Sequence, residues 1–152
     1  AGTIWWDDVR VGDGNAPRYR DLFSIVLSDY HLFDRLYGLG HPDPDRAGQL
    51  LDRMHLSGFT QIEDGRITNT NLSSGQRKRL ALIVALLEDR PICVFDEWAA
   101  DQDPEFRRHF YEAILPEMKR RGTTVLAATH DDRYFAHADR ILKMDLGRFV
   151  QT

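Results

Sequence analysis

Apolar and polar positions divide the chain into an irregular first half and a more regular second half. The opening GTIWWDDVRV is rich in β-formers around Asp7-Asp8 and predicts a hairpin of two short strands. GDGNAPRYRD predicts a loop leading into a short helical turn. LFSIVLS, over 22–28, is a continuous apolar run and predicts a buried strand. Residues 29–45 are irregular and carry Gly38, Gly40, Pro42 and Pro44. Asp45 is the expected cap of a helix over 46–56, with Leu50, Leu51 and Met54 facing one way. SGFTQIEDGRITNTN reads as a polar loop with a turn at Asp64-Gly65.

The second half alternates strands and helices. A helix is expected from Ser73 to about Glu88, stopped before Pro91. ICVF follows as a buried strand. Asp103 is a cap with Pro104 at the first helical position. The helix after it places Phe106, Phe110, Ile114 and Met118 at near-helical spacing, holds Pro116 as an expected kink, and ends at Gly122. TTVLAAT predicts another buried strand, Asp131-Asp132 a short helix, and RILKM a last strand. This alternation indicates an α/β fold, a parallel sheet with helical cover. The stretch from about 34 to 71 interrupts it and reads as a small helical insert.

Composition narrows the function classes. The 152 residues suit one domain, and 42% hydrophobic with 29% charged residues is ordinary for a globular one. A net charge of −4 offers no basic field, so no nucleic-acid partner is expected. Cys93 is the single cysteine, which excludes a disulfide framework and suits a reducing compartment. The uncharged apolar run 80–87 is far too short to span a bilayer. The first residues have neither the basic end nor the apolar core of a signal peptide. The chain itself is therefore expected to be soluble, with any membrane role needing another segment as anchor.

Three places carry candidate chemistry. Ser73 with Gln76 three residues on is a capping box. That pattern alone serves a capped helix; a sharper reading adds an anion site, since Gly75 admits close approach, and the N–H groups of the helix start beside Ser73 and Ser74 make a phosphate cradle. The basic run Arg77, Lys78, Arg79 either raises the local potential or is a solvated face. Asp96-Glu97 ends an apolar strand at the edge where ligands sit in parallel sheets. One carboxylate there can hold Mg²⁺ and the next can activate water, or the pair is only a polar strand exit. His130 ends TVLAATH on that same edge and could donate to a phosphate oxygen, whereas the other five histidines read as structural. Asp103 caps a helix and lies close enough to the carboxylate pair to serve the site.

Taken in order, these residues resemble the ATP-binding cassette ATPases, and the resemblance covers nearly the whole chain. LSSGQ is similar to the family's signature motif, ICVFDE to its Walker B strand, and FSIVLSDYHLFD to its Q-loop region. GTIWWDDVRV is similar to the hairpin that follows the Walker A helix. FDEWAADQDPEFRRHFYEAILPEMK and THDDRYFAHADR resemble bacterial exporters of cyclic and siderophore-type peptides. The resemblance implies a P-loop NTPase-like sheet with a small helical subdomain, ATP and Mg²⁺ as cofactors, and a homodimer of nucleotide-binding domains. It also implies a transmembrane exporter domain as partner, at the cytoplasmic face of the bacterial inner membrane. By the same resemblance Asp96 holds Mg²⁺ through water, Glu97 is the general base and His130 contacts the γ-phosphate. Ser73, Ser74, Gly75 and Gln76 then meet the γ-phosphate of ATP on the opposite subunit, and Asp103 reaches across that interface. Ser28 stands where the family usually has glutamine, Ser74 replaces a glycine, and Trp98-Ala99 replace Pro-Thr.

A phosphate loop of the form G-x-x-x-x-G-K-[ST] is not among these residues: Lys78, Lys119 and Lys143 are the only lysines and none follows a glycine. The expectation is a C-terminal portion of one nucleotide-binding domain, inactive by itself. Residues 1–33 and 80–152 would belong to the catalytic lobe and 34–79 to the helical subdomain. In the architecture that this resembles, a strand absent here lies between TVLAAT and RILKM, so either self-association or displacement of RILKM is expected. Two other readings stand beside this one. An ATPase of DNA repair or chromosome organisation would need a long coiled coil between Ser28 and Leu72, where there are no heptads. A non-enzymatic docking module is the other.

Overall fold

The computed structural model describes residues 2–150. Three parallel strands form the central sheet: β3 (Phe23–Val26), β6 (Ile92–Asp96) and β7 (Thr124–Ala128), with β6 in the middle. Ile25, Val94 and Leu126 stand in register across it. Before them come β1 (Trp5–Trp6) and β2 (Val9–Arg10), the expected hairpin, and α1 (Ala16–Arg20).

All three strands are expected to be buried; β3 and β6 are covered on one face only, and no residue of β7 is buried. Ser24, Val26, Cys93 and Phe95 point into the core. Ser24 Oγ donates to the Glu88 carboxylate of α3 (Ser74–Glu88), with the Ala85 carbonyl 3.4 Å away, which places that helix over this face. On the other face Ile25 is 55%, Leu27 49% and Leu126 51% exposed. A continuous apolar run signals a strand with two hydrophobic faces. It does not say whether covering elements lie within the chain.

Caps explain where the helices begin. α2 (Pro44–Arg53) is capped by Asp43, not by Asp45: the Asp43 carboxylate accepts from the Asp45 N–H at 3.0 Å. Proline lacks an N–H and fits the first helical position, which moves the start two residues back. α3 has the full capping box at Ser73 and ends on Asp89 in the left-handed region. The supposed polar loop after α2 holds β4 (Ile62–Glu63) and β5 (Arg66–Ile67), a hairpin whose turn residues Asp64 and Gly65 both have positive φ. α4 (Pro104–His109) starts on Asp103 as expected. The break expected at Pro116 takes the form of a π-helical segment, Phe110–Ile114, leading into α5 (Leu115–Arg120). The wider turn accommodates the N–H that Pro116 lacks.

Aromatic packing closes the core. Trp98 and Phe110 are each 1% exposed and stack at 4.1 Å between ring centroids, and Phe95 meets Phe110 edge-on at 5.4 Å. The segment after β7 is a 3₁₀ helix, Asp132–His137. Only the last two residues of RILKM are extended, in β8 (Lys143–Asp145), which pairs with β9 (Arg148–Val150) and stays apart from the sheet. Displacement of this segment was one of the two expected outcomes.

Candidate functional site

The carboxyl edge of the sheet gathers four of the sequence-predicted residues. Ser28 lies just past β3, and its hydroxyl donates to Asp96 Oδ2 at 2.9 Å, with its N–H at 3.4 Å from the same oxygen. Glu97 leaves β6 in the left-handed region, φ 49° and ψ 31°, and its N–H donates to the Ala128 carbonyl at the end of β7. His130 follows β7, and its Nδ1 lies 3.0 Å from the Glu97 carboxylate. Against a carboxylate Nδ1 is the donor, which leaves Nε2 outward on a ring that is 83% exposed. Ser28, Asp96, Glu97 and His130 thus come from three strand ends 102 residues apart in numbering, between 28 and 130.

The start of α3 forms a second group. Ser73 Oγ accepts from the Gln76 N–H and Gln76 Oε1 accepts from the Ser73 N–H, so both side chains serve the cap. Gly75 has a packing role: a Cβ there would stand 3.0 Å from the Asp101 carbonyl. Gln102 Nε2 donates to the Gly75 carbonyl at 3.2 Å. The 3₁₀ turn Trp98–Asp101 therefore lies against the helix start. Among the described residues, no hydrogen bond joins Ser73–Gln76 to the Ser28, Asp96, Glu97 and His130 group.

The basic run is not a solvated face. Arg77 stands over the Tyr30 ring at 5.8 Å. Lys78 is 4% exposed and pairs with Asp101 at 2.8 Å. Arg79 bonds Gln102 Oε1 and Asp103 and lies 3.8 Å over the Phe106 ring. Its counterpart in α4, Arg107, donates to the carbonyls of Ala99, Ala100 and Gln102. These roles of Lys78, Trp98, Gln102 and Arg107 have no signal in the sequence, because their partners, charged groups, carbonyls and rings alike, come near only on folding.

Asp103 does what its cap position predicts. The Phe106 N–H holds its carboxyl below the usual carboxylate range, with the Arg79 guanidinium adding to that. A lowered folded-state value means that the unfolded chain takes up the proton first as pH falls. The stabilisation is therefore complete above about pH 5 and is lost as pH falls through about 4 and below. Asp103→Ala is expected to cost about 1 kcal/mol at pH 7. The difference from the parent should shrink at pH 3, as read by urea melts at the two values.

Among the described residues no cluster of three or more His, Cys, Asp or Glu could cage a metal. Asp96 with Ser28 is instead a single carboxylate and hydroxyl, a hard-oxygen pair of the kind that suits Mg²⁺ completed by water and phosphate oxygens. The Ser74 and Gly75 N–H groups at the start of α3 donate to no protein acceptor among the described residues, as a phosphate cradle requires. The donor sets present fit a magnesium nucleotide.

Comparison with known proteins agrees with that chemistry. The ABC transporter family model matches residues 1–100. The ATP-binding protein SyrD of Pseudomonas syringae pv. syringae is 53% identical over 153 residues, covering 98% of this chain and 27% of that protein. The ATP-dependent lipid A-core flippase of Albidiferax ferrireducens is 46% identical over 167 residues, covering 100% of this chain and 28% of the flippase. That of Bordetella avium is 34% identical, covering 99% of this chain and 27% of the flippase. The chain thus spans about a quarter of the length of the curated relatives that it matches. No helix among the described residues is long and apolar enough to cross a membrane. By motif order, sheet-edge geometry and these matches, the chain belongs to the ABC transporter ATP-binding family.

Proposed function

We propose that this chain is the carboxyl-terminal portion of the nucleotide-binding domain of a bacterial exporter, and that its sheet edge hydrolyses ATP. The observation that carries the reading is the Glu97 carboxylate, flanked by His130 at 3.0 Å and followed from Asp96, itself bonded to Ser28. Bound Mg²⁺·ATP supplies the phosphoryl group and the counter-charge. Asp96 would hold the ion through water, with Ser28 orienting the carboxylate. Glu97 takes a proton from the attacking water, and His130 orients Glu97 through Nδ1 while Nε2 is available to a phosphate oxygen. Residues 34–79 form the helical subdomain in this reading, and 1–33 with 80–152 the catalytic lobe.

Ser73, Ser74, Gly75 and Gln76 contact the γ-phosphate of a nucleotide held by a second copy. That no hydrogen bond among the described residues joins Ser73–Gln76 to the Glu97 group supports a site shared between two copies. Asp103 borders that interface, although its carboxylate is engaged by Arg79 and Phe106 within the chain. The remaining partner is a transmembrane exporter domain at the cytoplasmic face of the inner membrane. The cargo in this reading is a peptide or siderophore-like molecule; lipid A-core is named only for the flippases.

The test is Ser73→Arg in the complete nucleotide-binding domain, in a Glu97→Gln background. Bulk and charge at the crowded helix start should abolish ATP-dependent dimers in light scattering, while ATP affinity stays within about threefold, because uniform binding contacts lie on the other lobe. Dimers that persist unchanged would refute the shared site. Circular dichroism separates this from the cap loss of about 1 kcal/mol.

A further inference from the structure

Glu97 occupies a backbone conformation that residues with a Cβ adopt at a cost. Something must hold it there. On its amino side the Glu97 N–H is tied to the Ala128 carbonyl of the sheet at 3.0 Å. On its carboxyl side the Glu97 carbonyl accepts from the Lys78 ammonium at 3.0 Å, and from the Ala100 N–H at 3.2 Å. Lys78 reaches it from α3, the helix that begins at Ser73. The same ammonium pairs with Asp101 at 2.8 Å, and the Lys78 carbonyl accepts the Trp98 indole N–H at 2.8 Å. A buried ammonium is costly unless its donors are met. Here two of its three N–H groups are met by the turn that carries Glu97 away from β6.

We propose that Lys78 is a positioning residue for Glu97: its ammonium holds the Glu97 carbonyl, and so the left-handed turn that aims the carboxylate at His130, against the start of α3. The inference rests on Glu97 being the general base. It adds a physical link between the two groups of the site. Any shift of α3 relative to the sheet pulls on the backbone of Glu97 itself. The link is a hydrogen bond from a buried cation to a main-chain carbonyl.

The experiment uses the full-length protein and the variant Lys78→Met, which keeps the length and apolar stem and removes the donors. Without nucleotide, amide exchange over residues 97–102, read by mass spectrometry, should be about tenfold faster, as a locally loosened turn requires. With ATP, kcat should fall by about 10- to 100-fold, the scale of a misplaced catalytic group. KM should stay within about twofold, since ground-state binding is untouched. In single turnover, adding Lys78→Met to Glu97→Gln should cost less than about twofold more, because the two act as one unit. Unchanged exchange, or a full loss that repeats in the Glu97→Gln background, overturns the proposal. If Glu97→Gln alone leaves the chemical step intact, the reading of Glu97 fails instead, and exchange still reports whether Lys78 holds the turn. Should Lys78→Met not fold, Asp101→Asn takes its place: the same signs at about threefold support the proposal, and parent-like exchange and kcat refute it.

Discussion

Replacing Glu97 by glutamine in the full-length protein is expected to lower ATP turnover by about 10²–10⁴-fold. The amide keeps the shape and the hydrogen bond that His130 Nδ1 can make, but it cannot accept a proton from water. Binding contacts are untouched, so the variant should bind ATP as the parent does and accumulate in the nucleotide-bound dimer. The side chain is only 34% exposed and its backbone is held on both sides, so the substitution perturbs little else. Steady-state phosphate release and light scattering with ATP check the two halves of the prediction. Turnover within tenfold of the parent would remove Glu97 from the mechanism. Normal ATP binding with a persistent monomer would remove Ser73–Gln76 from the shared site.

The 152-residue chain by itself is expected to hydrolyse ATP more than about 10³-fold more slowly than the full-length protein, because no phosphate loop of the form G-x-x-x-x-G-K-[ST] is among its residues. The same chain should associate with itself. Ile25, Leu27 and Leu126 form an apolar face on the sheet, and Met144, Leu146 and Phe149 lie exposed on the terminal hairpin. Such a face in water favours contact with another copy. Among the described residues β7 is also an unpaired edge on its outer side, and edge strands recruit partners through their free N–H and C=O groups. Concentration-dependent mass in sedimentation, with turnover insensitive to Glu97→Gln, is the expected pair of results. A monomer with a cooperative melt and turnover abolished by Glu97→Gln would contradict both.

Local chemistry was legible in the sequence where neighbours along the chain decide it. Ser73 with Gln76 announced its capping box, and Asp103-Pro104 its helix start. Gly122, with φ +87°, announced a helix end. The carboxylates at the end of β6 and the histidine after β7 could be placed on one edge because parallel strands share a direction. Asp43 was passed over for Asp45 because both precede an amphipathic run, and only the proline between them breaks the tie. The π-helical segment before Pro116 was not foreseeable from spacing, since Phe106, Phe110, Ile114 and Met118 satisfy a helical period either way.

By itself, then, the sequence determined the α/β class, the caps and the order of the chemical groups, all of which depend on residue type and short spacing. Tertiary structure alone decided three matters. It left one sheet face bare, because burial depends on what packs above a strand. It gave Gly75 a packing reason as well, because a Cβ there would stand 3.0 Å from the Asp101 carbonyl. It also took Lys78 out of a basic run and buried it on the Glu97 carbonyl. The reason is common to all three: neither a backbone carbonyl nor what covers an apolar face has a signature in residue type, and the partner is known only when distant segments meet.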